Sequence, residues 1–289
     1  MTLSYDVFVA DPLPLAGSLP TGEPRRYQPI AVTLIQGERD AVLVDPPLTT
    51  EQATAAGDWI ESSGKRLTHI FATHGHGDHW FTAGVLAERF GAQVVATAAT
   101  IAQMHGNVAA REVLWDKLWP GQIPPSPVTA TVTTGLTLEG HDLDIVEVGH
   151  ADSDGCSVLH VPDLGLVVAG DVLYNGVHLY LGESADGDFS AWRKAIDAVA
   201  ALEPRHVVAS HQNKDLDDDA TRLIAENRQY LEDAEAALAR CDTPDEFLTA
   251  MVECHPDRLG ASTLWVGARA LYLARAGGDP VQNLVAAWL

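Results

Sequence analysis

Thr73-His74-Gly75-His76-Gly77-Asp78-His79 decides the reading of this chain. From His74 to His79, three imidazoles and a carboxylate fall within six consecutive residues, with only glycines between them. His74 and His76, in an extended or loop conformation, can turn both side chains toward one metal ion. Asp78 and His79, from the turn that follows, can face a second. The preceding run Leu67-Thr68-His69-Ile70-Phe71-Ala72 is short, apolar and β-prone, and Phe81 to Phe90 has helical spacing. The motif therefore sits on a strand-to-helix loop, where α/β proteins place their chemistry. Solvated loop histidines would explain one exposed imidazole, but not four donors at this spacing, and the spacing is not that of a zinc finger. The pattern points to a catalytic metal site.

Further candidate donors end apolar, strand-like runs. Gly149-His150 follows Leu143-Asp144-Ile145-Val146-Glu147-Val148; Gly170-Asp171 follows Leu166-Val167-Val168-Ala169; Ser210-His211 follows Val207-Val208-Ala209. Upstream, Ala41-Val42-Leu43-Val44 runs into Asp45. In this order, with His74-x-His76-x-Asp78-His79 at its centre, the chain resembles the metallo-β-lactamase superfamily over roughly residues 30 to 215.

The resemblance implies an α/β fold, a four-layer αββα sandwich with additional C-terminal helices. Residues 1–215 would form the catalytic domain and 216–289 a C-terminal helical extension packed on it. It implies that His74, His76 and His150 hold one metal ion, that Asp78, His79 and His211 hold the other, and that Asp171 bridges them. Two Zn2+ per chain is the cofactor expected from the family, although imidazole and carboxylate donors without thiolate also suit iron or manganese. The implied activity is hydrolysis of a small carboxylic ester, lactone or thioester by metal-bound hydroxide, with Asp78 as the catalytic proton shuttle.

An aspartate at position 171 resembles the glyoxalase II and lactonase-like branches. True β-lactamases generally carry a cysteine or a non-ligand there, which argues against antibiotic hydrolysis and leaves β-lactamase-type amide hydrolysis as the second alternative. The first alternative is a mononuclear iron, persulfide dioxygenase-like oxidoreductase, which uses similar ligands with the second-site residues present and idle. The chain departs from many relatives at Trp80-Phe81-Thr82-Ala83-Gly84, where a Gly-Gly pair is common, and a bulkier wall beside His79 is expected. No basic cluster of the kind glyoxalase II uses for glutathione follows His211; Lys214 stands alone.

Substrate contacts are less legible. Tyr174, His178 and Tyr180 lie on the loop leaving Asp171, where pocket lining and plain packing are equally expected. Between Ile101 and Pro127, Met104, Val113, Leu114, Trp115, Leu118 and Trp119 recur at helical spacing. Such a stripe is ordinarily core; as a cover over the metals, it would offer Trp115 and Trp119 as an aromatic wall for substrate. His69, His141, His160 and His206 lie in or beside strand-like runs and are read as satisfied or surface histidines. Thr50 to Gly64 and Thr221 to Arg240 read as helices, and the tail from Pro244 to Leu289 as two or three more. The tail is expected to be a stabilising appendage, with a pocket cover or a homodimer contact as the alternatives.

A chain of 289 residues with 46% hydrophobic content can bury a large core. Forty acidic residues against 18 basic ones give a net charge of −22, a surface that repels polyanions, so no nucleic-acid partner is expected and a small molecule is the substrate. Three cysteines without a closely spaced pair suggest a reducing compartment. The N-terminus lacks the basic start and apolar core of a signal peptide, and no apolar run reaches the ~20 residues of a span. A cytoplasmic protein without a membrane partner is expected.

Overall fold

The computed structural model describes residues 2–125, 130–184, 187–277 and 279–289. In chain order the first half contains β1 (Ser4–Ala10), β2 (Pro14–Ser18), β3 (Pro24–Arg26), β4 (Ile30–Gln36), β5 (Asp40–Val44), α1 (Thr50–Ser62), β6 (Arg66–Phe71), α2 (Ala83–Phe90), β7 (Gln93–Ala96), α3 (Ala98–Ala110) and α4 (Trp115–Leu118). The second half contains β8 (Thr131–Val132), β9 (Gly135–Leu138), β10 (His141–Gly149), β11 (Cys156–Val161), β12 (Leu166–Val168), α5 (Ser190–Ala200), β13 (His206–Val208), α6 (Ala220–Leu238), α7 (Pro244–Cys254), α8 (Ala261–Ala276) and α9 (Pro280–Trp288).

Two mixed sheets face each other. One has six strands in the order β1-β4-β5-β6-β7-β8, the other five in the order β13-β12-β11-β10-β9. β5, β6 and β7 are parallel, and the crossovers between them are α1 and α2, as parallel pairing demands. α1 begins where its sequence signature places it: Thr49 accepts from the Gln52 backbone while the Gln52 side chain returns to the cap, a reciprocal capping box.

Side-chain alternation along the strands builds three apolar layers. Ile35, Val42, Val44 and Phe71 meet Leu143, Leu159, Val161 and Val208 between the sheets. On the opposite face of the first sheet, Ile30, Val32, Leu34 and Ile70 pack with Ile60 of α1 and Leu86 of α2. Val158, Val167 and Val207 of the second sheet pack with Trp192 and Ile196 of α5 and Leu223 and Leu231 of α6. This is the expected four-layer αββα sandwich.

The C-terminal helices join both outer layers. Phe247, Met251 and Leu271 belong to the second, whereas Val266, Ala270 and Trp288 belong to the first. α8 and α9 reach the strand ends where the candidate donors gather. Residues 126 and 127 of the Trp-rich segment lie outside the described residues; its described part forms α3 and α4. Among the described residues no helix is long and apolar enough to cross a membrane.

Candidate metal centre

β6 ends at Phe71, and the chain then runs through the histidine loop into a single 3-10 turn, Gly77–His79, before α2. The two glycines are needed for space. A β-carbon on Gly75 would lie 2.4 Å from the Gln103 β-carbon, and one on Gly77 would lie 2.1 Å from the Phe81 ring. Asp45, at the end of β5 with φ of +54°, anchors the loop. Its buried carboxylate accepts from Thr73 N (2.8 Å), Thr73 Oγ1 (2.7 Å), His79 Nδ1 (3.1 Å) and, from the other sheet, Ser210 Oγ (2.6 Å).

Each loop histidine has one ring nitrogen engaged and the other turned inward. His74 Nδ1 donates to Thr73 Oγ1 at 3.1 Å, and His76 Nε2 donates to Glu183 Oε1 at 2.8 Å. His211 follows the same rule from β13, its Nδ1 donating to the Pro29 carbonyl at 2.8 Å. Such outward partners fix the tautomer and leave the inner lone pair for a metal. Asp171, just past β12, accepts from Tyr174 OH at 2.5 Å. Its Oδ1 lies 3.6 Å from His79 Nε2, and its Oδ2 lies 3.2 Å from His211 Nε2.

His150 does not join this group, which corrects the expected ligand set. β10 loses register at Glu147/Gly149, and Gly149 takes φ of +86°, so the chain turns at the position before His150. His150 faces outward and its Nδ1 donates to Asp154 Oδ1 at 2.7 Å. Two residues on, Asp152 points inward, with only 1% of its surface exposed. Its Oδ2 is 2.8 Å from His76 Nδ1 and 3.6 Å from His74 Nε2.

Three trios of potential donor atoms result, each within 4.8 Å of one another: His74, His76 and Asp152; His74, His79 and Asp171; Asp78, His79 and His211. Asp171 stands between the outer two. The inner atoms His74 Nε2, His79 Nε2, His211 Nε2, Asp152 Oδ2 and Asp171 Oδ1 are buried and have no aligned hydrogen-bond partner, although several lie at ion-pair distance. Unpaired buried polar atoms are costly, and five converging on one spot fit bound cations.

Protonation follows the same logic. Burial and the neighbouring His79 hold His74 well below the usual imidazole range. Burial acts in the same direction on His79, but Asp78, Asp171 and Asp45 outweigh it and raise this group to about 9. Against the same desolvation, Asp171 and Asp78 raise His211 to about 10, and Asp152 with Glu183 raises His76 well above its usual value. Burial alone would raise the Asp78 carboxyl; His79 and His211 instead depress it. Without a metal, protons on the imidazoles balance the buried carboxylates; metal ions would displace them.

The model of the metallo-β-lactamase superfamily matches residues 26–211. The chain belongs to this superfamily. It is 26% identical over 201 residues to the type 2 metallo-β-lactamase of Bacteroides fragilis, covering 68% of this chain and 73% of that one. It is 30% identical over 167 residues to a hydroxyacylglutathione hydrolase of Acidiphilium cryptum, covering 57% and 56%. The crystal structure of a metallo-β-lactamase family protein from Thermus thermophilus superposes with a TM-score of 0.60 at 21% identity, covering 95% of this chain and 96% of that one, a likeness of fold.

Above the superfamily's donor edge lies a cavity of about 460 Å³. His76, Asp78, Asp152, Asp171 and His211 contribute to its lining, and Leu114, Trp115, Tyr180, Ala270, Leu284 and Trp288 give it an apolar wall. No lysine or arginine is among its described lining residues. Of the sequence-derived substrate candidates, Trp115 and Tyr180 line the cavity and the other three do not. Trp119 stacks behind Trp115 (centroids 6.1 Å apart) and meets Tyr27 edge-on (5.0 Å). Tyr174 lies under the site holding Asp171, and His178 is buried against Tyr230, its Nδ1 3.0 Å from that hydroxyl.

Four contributors had no signal of their own in the sequence. They are Asp152, Glu183, Trp288 and Tyr27, whose hydroxyl donates to Asp78 Oδ2 at 2.8 Å. Tyr27 lies in the irregular Pro-rich opening, and Asp152 was one acidic residue among several beside His150.

Proposed function

We propose that this metal-dependent hydrolase uses a binuclear zinc centre to cleave a small, uncharged carboxylic ester, lactone or thioester with an apolar acyl group. The observation carrying the reading is the pair of outer trios with Asp171 between them and five inner donor atoms left unpaired. His74, His76 and Asp152 would hold one ion, Asp78, His79 and His211 the other, with Asp171 between them. Metal ions bound there would polarise a carbonyl and make water a stronger acid near neutral pH.

The protein's own groups supply the rest. Asp78 lines the cavity with its Oδ2 3.3 Å from His211 Nε2, and accepts from Tyr27, so it can pass a proton toward a leaving group. Tyr27 OH orients that carboxylate. Tyr174 holds Asp171, and Asp45 holds His79. Trp115, Leu284 and Trp288 exclude water and favour an apolar acyl chain or ring. The lack of cationic lining among the described residues supports an uncharged substrate over an anionic one such as a glutathione thioester.

The test is a screen of zinc-loaded protein against aryl esters, lactones, thioesters and β-lactams, with elemental analysis alongside. Two zinc ions per chain and preferential turnover of uncharged apolar esters or lactones are expected. A single ion after zinc loading, or two ions with no turnover of any member, would refute the proposal. A second reading has one observation in its favour: two imidazoles and one carboxylate also suit a non-haem iron oxygenase. Oxygen uptake on glutathione persulfide by protein with one iron per chain would select it.

A further inference from the structure

Two polar side chains in the cavity wall are left without partners in the chain. Gln28 and Thr263 both line the cavity and are only 3% and 1% exposed, yet Gln28 Oε1 and Thr263 Oγ1 make no hydrogen bond. Unpaired buried polar atoms are costly, so each calls for a partner that the fold itself does not supply. Asn107, from α3, lines the cavity too, but its Oδ1 accepts from Trp115 Nε1 at 3.1 Å and is committed to the wall.

The pair comes from two elements that are pinned together. α8 starts beside the segment joining β3 to β4: Ser262 Oγ accepts from Arg26 N at 3.0 Å, and a β-carbon on Gly260, which has φ of +82°, would lie 3.6 Å from the Gln28 β-carbon. Gly260 caps α8 without a side chain, so Thr263, the third residue of the helix, has no capping group to bond. Gln28 itself stands between Tyr27, whose hydroxyl holds Asp78, and Pro29, whose carbonyl holds His211. The two unpaired side chains therefore belong to the Asp78 and His211 end of the donor row, the end from which Asp78 serves the leaving group.

We propose that Gln28 and Thr263 form a subsite that binds a neutral hydroxyl or carboxamide carried by the leaving-group part of the substrate. An amide and a hydroxyl together offer acceptor and donor without charge, which matches a group of the same kind. A carboxylate there would meet no lysine or arginine among the described lining residues and would share the cavity with Asp78 and Asp171. The apolar acyl group takes the wall of Trp115, Leu284 and Trp288, so the cavity reads the two halves of an ester by different chemistry. The assignment to the leaving group rests on the hydrolase reading; the unpaired atoms do not depend on it.

Zinc-loaded, full-length wild type, Gln28→Leu and Thr263→Val are assayed on benzyl butyrate and para-hydroxymethyl benzyl butyrate, and their thermal unfolding is followed. Wild type is expected to favour the hydroxymethyl ester in kcat/KM by at least about tenfold, because the plain ester leaves both buried atoms unpaired. Each variant should lose that preference and melt no lower than wild type, since a near-isosteric apolar group removes an unpaired atom and no bond. Thr263→Val, on a different element from Pro29, separates loss of the subsite from disturbance of His211.

Equal turnover of the two esters by wild type, or a preference that survives in both variants, overturns the subsite and leaves the hydrolase reading intact. Melting several degrees lower in both variants also overturns it, by giving the pair a structural role. If neither ester nor any other member of the wider panel is hydrolysed, the hydrolase reading fails by itself, and isothermal titration of the two product alcohols decides the subsite. Tighter binding of the hydroxymethyl alcohol to wild type than to the variants upholds it; equal binding overturns it.

Discussion

The two sheets bring donors to the same edge by opposite means. The six-stranded sheet delivers His74, His76, Asp78 and His79 from one loop, whose close turns require glycine and whose rigidity depends on the Asp45 carboxylate. The five-stranded sheet delivers Asp152, Asp171 and His211 from three strand ends. There the parallel pairing of β12 with β13 sets position, extended by Ser210 N donating to the Gly170 carbonyl at 3.0 Å. A loop crowded with donors needs a polar hub, whereas donors spread over strands inherit their places from sheet register.

The hub is where that contrast breaks most readily. Asp45→Ala would leave Thr73 N, His79 Nδ1 and Ser210 Oγ without their buried acceptor and release the tether between the sheets. Removing one partner of a buried charged network costs about 3–5 kcal/mol, and the metal content of the loop should fall with it. Denaturant unfolding with elemental analysis measures both. A variant within ~1 kcal/mol of wild type that retains its metals would show that the loop holds itself.

The same contrast explains what the sequence revealed. The histidine loop was legible because its donors are contiguous, and Asp171 and His211 because each ends an apolar run whose direction a parallel sheet preserves. Asp152 was not, because its position depends on a register shift and a left-handed glycine at the end of β10, neither of which alters hydrophobic periodicity. Apolar helices read correctly as helices in the tail, but nothing in their pattern said that α9 would bring Leu284 and Trp288 to the cavity. Trp115 and Trp119 share a stripe, and only packing separates the one that lines the cavity from the one behind it.

The second sheet's contribution is tested by exchanging its two neighbouring candidates. Asp152→Ala should lower metal affinity and turnover by about 10–100-fold, while His150→Ala, bonded only to Asp154 at the surface, should stay within about twofold, the range of ordinary surface changes. Isothermal titration of zinc into stripped protein, paired with initial rates, gives both numbers. The reverse ranking would return the ligand to His150 and remove the register argument.

A pH test sharpens the contrast from the side of packing. In the second half His178 is enclosed against Tyr230, and burial, with Arg258 and His255 nearby, lowers it from 6.5 to about 3. Its folded-state value lies below the unfolded one, so the unfolded chain binds the proton first. This group therefore costs stability as pH falls below about 6.5, by up to about 1.4 kcal/mol per unit, until pH approaches about 3. His178→Gln should flatten the acid limb by one proton, read from unfolding free energies between pH 7 and about 4.5. An unchanged slope would mean that His178 is protonated within the fold.

The smallest effect concerns the cavity wall, to which both halves contribute. Trp115 from α4 and Trp288 from α9 line the same cavity, and the latter ring also lies 5.6 Å from Tyr27 and 6.0 Å from Tyr180. Truncating either indole removes apolar area from the cavity wall without touching a donor. Trp115→Ala and Trp288→Ala should each lower kcat/KM for bulky apolar esters by about tenfold, the low end of what a few apolar contacts discriminate, and affect acetyl esters less. Metal content should be unchanged. Trp119→Ala, which opens a void in the layer behind, should instead cost about 3–5 kcal/mol in stability with little change in substrate preference. If Trp119→Ala shifted preference and Trp115→Ala did not, the wall would be assigned to the wrong indole and substrate would have to enter deeper between α4 and the strand ends.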